Sequence, residues 1–427
     1  MSKELFRKLK ALFIGGRFKR NIMIVFSGNI FSQSIYLLFY PVLTRIYLPS
    51  EFGQYAIFIT LLSIFSIIVT GQYELTILLP KKEKDFKYLV YSTILLAFVL
   101  SILVTGLLLL LAPLLEQYNL ITSRPLLCIL GISIFINAMY QTGIYLSLRH
   151  KAFKAISIVN IINVVFSIFF QYIFSKTALS NVGLIIGYMI GTLVTMVVLF
   201  MINRRVFSLE WNVGDLLKNG KRVLSRYKDF PLLNLPATLL NLLANQSPQL
   251  LLNIFSQTIV GYFALSQKVL GSPVTLFSTS VSHVFKERAS SDYRNKGTCR
   301  PIFVQTFKTL FLISIVPFLL IFIFAPKFVP LVFGAEWEPA GVYIQALTLM
   351  YFLKFTVSPL TYVVIIAERQ RLNLIFQSLL LVLSILSISY GIYKQSPSTS
   401  VLLYSVCYTT IYIIYLLISY KLSKNDK

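Results

Sequence analysis

The sequence predicts an all-α polytopic membrane protein. It should have about twelve transmembrane helices in two six-helix bundles, related by a pseudo-two-fold axis along the membrane normal. Three observations lead there. Apolar runs of about twenty residues follow one another from residue 22 to residue 420, each long enough to cross hydrocarbon about 30 Å thick. The chain is only 13% charged, against roughly 25% for soluble domains, and its mean hydropathy is +0.76. Continuous apolar runs exclude transmembrane strands, which would read as ten-residue alternations. Finally, the first half recurs in the second at an offset of 208 residues: FGQYA (52–56) aligns with VGYFA (260–264), pairing Gly53 with Gly261.

Taken in order, the expected spans are 22–43, 54–79, 88–115, 121–146, 155–175 and 179–203. Six more follow at 230–256, 258–285, 301–325, 340–366, 371–393 and 398–420. The domains are then a basic amphipathic N-terminus (1–20), a first bundle (21–203), a linker (204–229), a second bundle (230–420) and a short tail (421–427). In LFRKLKALF (5–13) the leucines and phenylalanine share one helical face opposite Arg7, Lys8 and Lys10, a pattern suited to an anionic membrane surface. The first span has no small-residue cleavage site after it and reads as a retained helix rather than a signal peptide. Its turn into the second, YLPSEFGQYA (47–56), reads as a tight outer turn in which Gly53 lets two helices approach. The longest outer connection is 326–339 (PKFVPLVFGAEWEP).

The net charge of +24 is a matter of topology. With Arg124 and Arg371, at span ends, counted in the adjoining loops, both tails and the even-numbered loops hold 31 Lys and Arg, the other loops hold five, and three lysines fall inside spans. The positive-inside rule therefore puts both termini in the cytoplasm, and no nucleic-acid partner is implied. Three scattered cysteines and two distant histidines support neither a disulfide framework nor a metal site, and no cofactor is expected.

Polar groups within spans are costly and mark protein-lined or wet surfaces. The first span carries Asn29, Gln33, Tyr36 and Tyr40 on one stripe; the seventh carries Asn234, Thr238, Asn241 and Asn245 at the same spacing. Interhelical hydrogen bonding alone would also account for such stripes. Lys268 and Lys354 fall near mid-depth, whereas Lys308 is close enough to a span end to snorkel. Glu74 is the one carboxylate clearly within a span. The resulting excess of positive charge suits an anionic substrate, with Lys268, Lys354, Asn241, Asn245, Gln33 and Asn29 as candidate binding residues and Glu74 as a candidate for ion coupling.

Several stretches resemble a known family: SGNIFSQSIYLLFYPVLTRIYLPSEFGQYAIF (27–58), YELTILLP (73–80), FPLLNLPATLLNLLANQSPQLLL (230–252), VGYFALSQKVLGSPVTLFSTSVSHVF (260–285) and FGAEWEPAGVYIQ (333–345). In order and spacing they resemble Wzx-type polysaccharide flippases of the multidrug/oligosaccharidyl-lipid/polysaccharide superfamily. That resemblance implies a flippase of the bacterial cytoplasmic (inner) membrane. Its substrate would be an undecaprenyl-diphosphate-linked oligosaccharide repeat unit destined for O-antigen, capsule or another surface polysaccharide, moved by alternating access with the prenyl tail left in lipid. Polymerase and chain-length proteins of the same pathway are implied as partners, beside the membrane lipids.

Other readings fit less well. A drug or metabolite exporter would share the fold. A polytopic glycosyltransferase or repeat-unit polymerase should carry a large outer loop with catalytic carboxylates or arginines, yet the outer loops hold four carboxylates in all and no nucleophile–base set or phosphate loop. A major-facilitator transporter should show a Gly–Asp–Arg–Gly signature where this chain reads KKEKDFK (81–87). The sequence thus points to a transporter rather than an enzyme.

Overall fold

The computed structural model describes residues 16–118, 120, 123–207, 213–367 and 369–424. The basic stretch 5–13 lies outside the described residues. Twelve helices of eighteen residues or more follow one another: α1 Gly16–Ile46, α2 Pro49–Thr70, α3 Glu83–Leu110, α4 Arg124–Arg149, α5 Phe153–Phe174, α6 Gly183–Ile202, α7 Leu235–Leu252, α8 Gln257–Lys296, α9 Arg300–Phe333, α10 Glu338–Val357, α11 Gln370–Tyr393 and α12 Pro397–Leu422. A shorter linker helix, Val213–Arg226, separates α6 from α7. Among the described residues nine helices are long and apolar enough to cross a membrane. The three others, α1, α7 and α8, are those that carry the amide stripes and Lys268. Large side chains such as Leu110, Leu312 and Leu417 lie exposed on the spanning helices, as a protein solvated by lipid requires.

Helix starts follow local chemistry. The Glu51 carboxylate accepts a hydrogen bond from the Leu48 amide at 2.7 Å, tying down the first turn of α2. Ser256 caps α8 by accepting from the Ile259 amide at 3.2 Å, and Ser396 caps α12 in the same way, with Pro397 in the first turn. Gly297, at φ 70°, ends α8 in the left-handed conformation.

The chain forms two compact units. One takes the chain up to Leu43 with Leu61–Glu116 and Ile121–Leu239; the other takes Thr44–Thr60, Gln117–Leu120 and the chain from Leu240 onward. In the first unit α5 and α6 pack along their lengths through small residues, Gly191 facing Ser167 and Gly187 facing the Gln171 backbone. In the second, Trp337 is buried between three segments. Its Nε1 donates to the Thr44 carbonyl at 2.8 Å, and its ring meets Phe52 and Tyr262 edge-on with centroids 5.1 and 6.1 Å away. Beside it, Arg45 donates to the Leu331 carbonyl at 2.7 Å.

Three expected boundaries move. The turn between α1 and α2 is only Tyr47–Leu48, so Gly53 sits inside α2. Its close partner is the start of α8 rather than α1. A Cβ on Gly53 would overlap the Gln257 carbonyl oxygen, and one on Gly261 would overlap the Pro49 carbonyl oxygen. The aligned glycines thus lie four residues into α2 and α8 and admit each other's backbone. The expected loop 326–339 is largely helix, because Pro326 and Pro330 are accommodated within α9 and only Gly334, at φ 112°, ends it. The second span stops at Thr70, where Gly71 and Gln72 adopt φ of 56° and 59° before a short helix, Tyr73–Thr76.

Because both glycines serve one contact, Gly53→Leu or Gly261→Leu should lower stability by about 1–3 kcal/mol through overpacking, while Gln54→Leu should cost much less. Thermal unfolding of the detergent-solubilised protein measures this. The double glycine variant should cost clearly less than the sum of the singles.

Candidate functional site

The candidate residues divide between the units. In the first, Asn29 on α1 accepts a hydrogen bond from Asn160 on α5 at 2.7 Å, and Tyr140 of α4 donates to the same Asn160 at 3.0 Å. Nearby, Ser157 donates to the Ile24 carbonyl at 2.7 Å where Gly28 leaves room for it. Asn29 is therefore committed to helix packing. Gln33, half-buried one turn further on, makes no side-chain hydrogen bond among the described residues.

The left-handed break after α2 builds a second polar cluster in that unit. Gln72 is buried, and its amide oxygen accepts from Asn234 and, at 3.3 Å, from Thr238. Asn234 and Thr238 open the stripe read from the sequence; Gln72 was missed, since nothing in its surroundings signals a chain reversal except the preceding glycine. Two residues on, Glu74 is buried at 7% exposure, and its Oε2 has no hydrogen-bond partner among the described residues. It sits on the short helix rather than in a span. Arg149 approaches the same segment but donates to the Ile77 and Pro80 carbonyls, both at 2.9 Å, and stacks on Phe86 with its guanidinium 4.1 Å from the ring centroid.

The rest of the stripe belongs to the second unit and joins a chain of amides. Asn245 donates to the Asn241 carbonyl at 2.8 Å, and Asn241 reaches Gln377 of α11 at 3.4 Å. A turn later Gln249 accepts from Thr60 at 2.7 Å and donates to Gln267 of α8 at 2.8 Å. Lys268 is the next residue of α8, half-buried. Gly271, one turn beyond, faces the Tyr351 ring of α10, whose nearest carbon is 3.4 Å from where a Cβ would sit. Lys354 stands over that same ring, its Nζ 5.6 Å from the centroid. No carboxylate lies within ion-pair distance of Lys354 among the described residues. The tenth span, expected to run unbroken to 366, leaves the α-helix at Val357 for a 3-10 segment, Ser358–Tyr362, begun by Pro359. Lys354 consequently lies in the last regular turn. Lys308 is exposed on α9.

The structure thus places Lys268, Lys354, Asn241 and Asn245 on neighbouring helices of one unit, with Asn29 and Gln33 in the other. Sequence reading missed Gln249 and Gln267, which carry the amide chain from α7 to α8. It also missed the tyrosine column of α12, where Tyr404 and Tyr408 have ring centroids 4.7 Å apart; the i, i+4 spacing of YSVCY could have found it. Ammonium, amide and phenol groups are donors suited to phosphate and sugar hydroxyls. Among the described residues no three His, Cys, Asp or Glu side chains gather as a metal site would need.

A family model described as "Polysaccharide biosynthesis protein" matches residues 42–341. No curated protein matches the chain. Among solved structures, the lipid II flippase MurJ in an inward closed conformation is similar to it with a TM-score of 0.76 and 17% identity, over 93% of this chain and 87% of that one. A multidrug resistance MATE family transporter of the MOP superfamily, in an inward-facing conformation, gives a TM-score of 0.66 and 14% identity over 91% and 93%. A MOP superfamily transporter from Pyrococcus furiosus gives 0.52 and 14% over 97% and 98%. The chain is a multi-pass membrane protein with the fold these transporters share.

If Gln72 anchors the start of α7, Gln72→Leu should lower stability by about 1–3 kcal/mol, because Asn234 loses a buried acceptor. A thermal-shift comparison with Gln33→Leu, whose side chain serves no such bond, should separate the two clearly.

Proposed function

We infer, because this chain belongs to the polysaccharide biosynthesis protein family, that it is a flippase for a lipid-linked oligosaccharide. Its cargo is an undecaprenyl-diphosphate-linked repeat unit, carried from the inner to the outer leaflet of the bacterial cytoplasmic membrane by alternating access. Surface polysaccharide of the O-antigen or capsule type is the product, taken over by polymerase and chain-length proteins. Both termini, and with them the linker 204–229, face the cytoplasm in this reading. The two six-helix halves, 21–203 and 230–420, are its working parts.

The observation that carries the reading is the setting of Lys354. A cation inside a spanning helix, over a tyrosine ring and with no described carboxylate within ion-pair distance, is costly to keep and attracts a diphosphate. Lys268 stands on the neighbouring helix, and Asn241 and Asn245 offer amides to the glycan. Asn29, already bonded to Asn160, and Gln33, with hydrogen-bonding capacity to spare, are further candidates on α1 of the first unit. Glu74, buried with an oxygen unserved, is the candidate for coupling to an ion gradient. A second reading, export of a drug or metabolite, is favoured by the fold shared with the multidrug transporter.

Lys→Gln keeps a donor and removes the charge. Lys268→Gln and Lys354→Gln should leave membrane abundance unchanged while surface polysaccharide falls at least tenfold and lipid-linked precursor accumulates; full export in the double variant at normal abundance would overturn this role. Normal polysaccharide in cells lacking the protein would favour the exporter reading. Reporter fusions at Lys221 and at Glu336 should report opposite faces of the membrane. Glu74→Gln should make export insensitive to collapse of the ion gradient, or abolish it, at normal abundance.

A further inference from the structure

A cavity outside the proposed transport path has the composition of an anion site. It measures about 610 Å³ and lies between the linker helix Val213–Arg226 and the start of α3, wholly within the first unit. Four cations line it: Lys82 at the cap and Lys84 in the first turn of α3, and Arg222 and Arg226 from the linker helix. The one carboxylate in its wall, Asp85, is already occupied by Arg222 at 2.9 Å. Lys82, Lys84 and Arg226 make no ion pair among the described residues. Tyr88 and Tyr227 complete the wall with phenol hydroxyls.

The walls are held by buried contacts. Val223 of the linker helix packs against Leu89 of α3 and Tyr73, and Tyr73 donates its hydroxyl to the Leu224 carbonyl at 3.2 Å. Gly220 lets the two helices approach, since a Cβ there would overlap Ser92. All four cations are exposed, so water and salt screen their mutual repulsion, and an anion can reach them from solvent. The amino terminus of α3 adds its own partial positive charge.

We propose that this cavity binds the phosphate or diphosphate head group of a membrane lipid. Phosphate matches the donors: guanidinium and ammonium give charge-assisted hydrogen bonds to its oxygens, and phenols add neutral ones. A lipid-borne phosphate rather than a free one fits the position. The cavity opens where the spanning helix Glu83–Leu110 begins, the level at which head groups lie, and the amphipathic linker helix runs along it. Both walls are Lys- and Arg-rich connections that the proposed topology puts on the cytoplasmic side. Two lipids present this chemistry there: bulk anionic phospholipid, and the prenyl diphosphate of the proposed cargo. For the second, the cavity would be a docking site that precedes transport, and in that form the proposal rests on the flippase reading.

The test uses the full chain in nanodiscs of neutral phosphatidylcholine, titrated with short-chain phosphatidylglycerol and with farnesyl diphosphate. Each cation near an anionic head group contributes about fivefold in affinity, so Lys84→Gln with Arg226→Gln should weaken binding about 25-fold. Lys84→Arg with Arg226→Lys should stay within threefold, and native affinity should fall as salt rises. Loss confined to farnesyl diphosphate assigns the cavity to the cargo; loss confined to phosphatidylglycerol assigns it to bulk lipid; loss of both supports the shared chemistry. Unchanged binding of both in the Gln variant, or no binding of either by the native protein, overturns the proposal. Should the double variant fail to fold, Lys84→Gln and Arg226→Gln alone, each about fivefold weaker, decide the matter. Intact binding in a protein that exports no glycan would sink the flippase reading and leave this site standing.

Discussion

Hydrocarbon hydrates nothing, and every polar atom in this chain is arranged under that constraint. The commonest solution is local. Thr93 donates to the Leu89 carbonyl, Thr142 to Ala138, Ser314 to Leu310 and Thr348 to Ile344, each one turn back along its own helix at 2.6–2.9 Å. Such hydroxyls cost little and carry no specificity. Amides take that local bond at Asn245 and Asn203, but an amide has more groups to serve than a hydroxyl, and the others mark where segments meet: Asn29 with Asn160, Gln72 with Asn234, Gln249 with Gln267. The few groups left over after this pairing, Glu74 and Lys354 among them, are those to which the proposed transport chemistry is assigned.

The same medium explains the glycines. Lipid chains are as apolar as leucine, so helices gain little by hiding leucines and more by approaching closely. The Gly53–Gly261 contact is the extreme case, in which the first turns of two helices admit each other's carbonyls. Around it Trp337 and Arg45 donate to backbone carbonyls at Thr44 and Leu331, so a site where three chain segments converge is held largely by bonds to main-chain oxygen.

Much of this was legible in the sequence, for a physical reason: hydropathy over about twenty residues is a strong signal, and charge asymmetry between loops is another. The twelve long helices were accessible in that way, and the aligned glycines through the 208-residue internal repeat. What could not be read was how helices are interrupted. Gly71 and Gln72 reverse the chain inside an apolar run, and Pro359 converts α-helix to 3-10, while hydropathy passes through both unchanged. Lys354 thus stands in the last regular turn before that 3-10 segment, and Glu74 on the short helix after the break. Pairing was hidden too. Asn234 and Asn241 look alike on a helical wheel, yet one bonds the buried Gln72 and the other reaches Gln377, a difference set by chain segments more than a hundred residues away.

The length of α8 has a mechanical consequence. Its forty residues make a rod about 60 Å long, well beyond what a bilayer core needs. One end is fixed near Gly261 by backbone contact, while the other carries Arg294 and Lys296. Pro273 lies between the two ends and removes one backbone hydrogen bond, so the far segment can bend there as well as about the glycine. A ten-degree swing about the glycine, with the helix kept straight, would sweep the Lys296 end through roughly 9 Å, wider than a sugar ring.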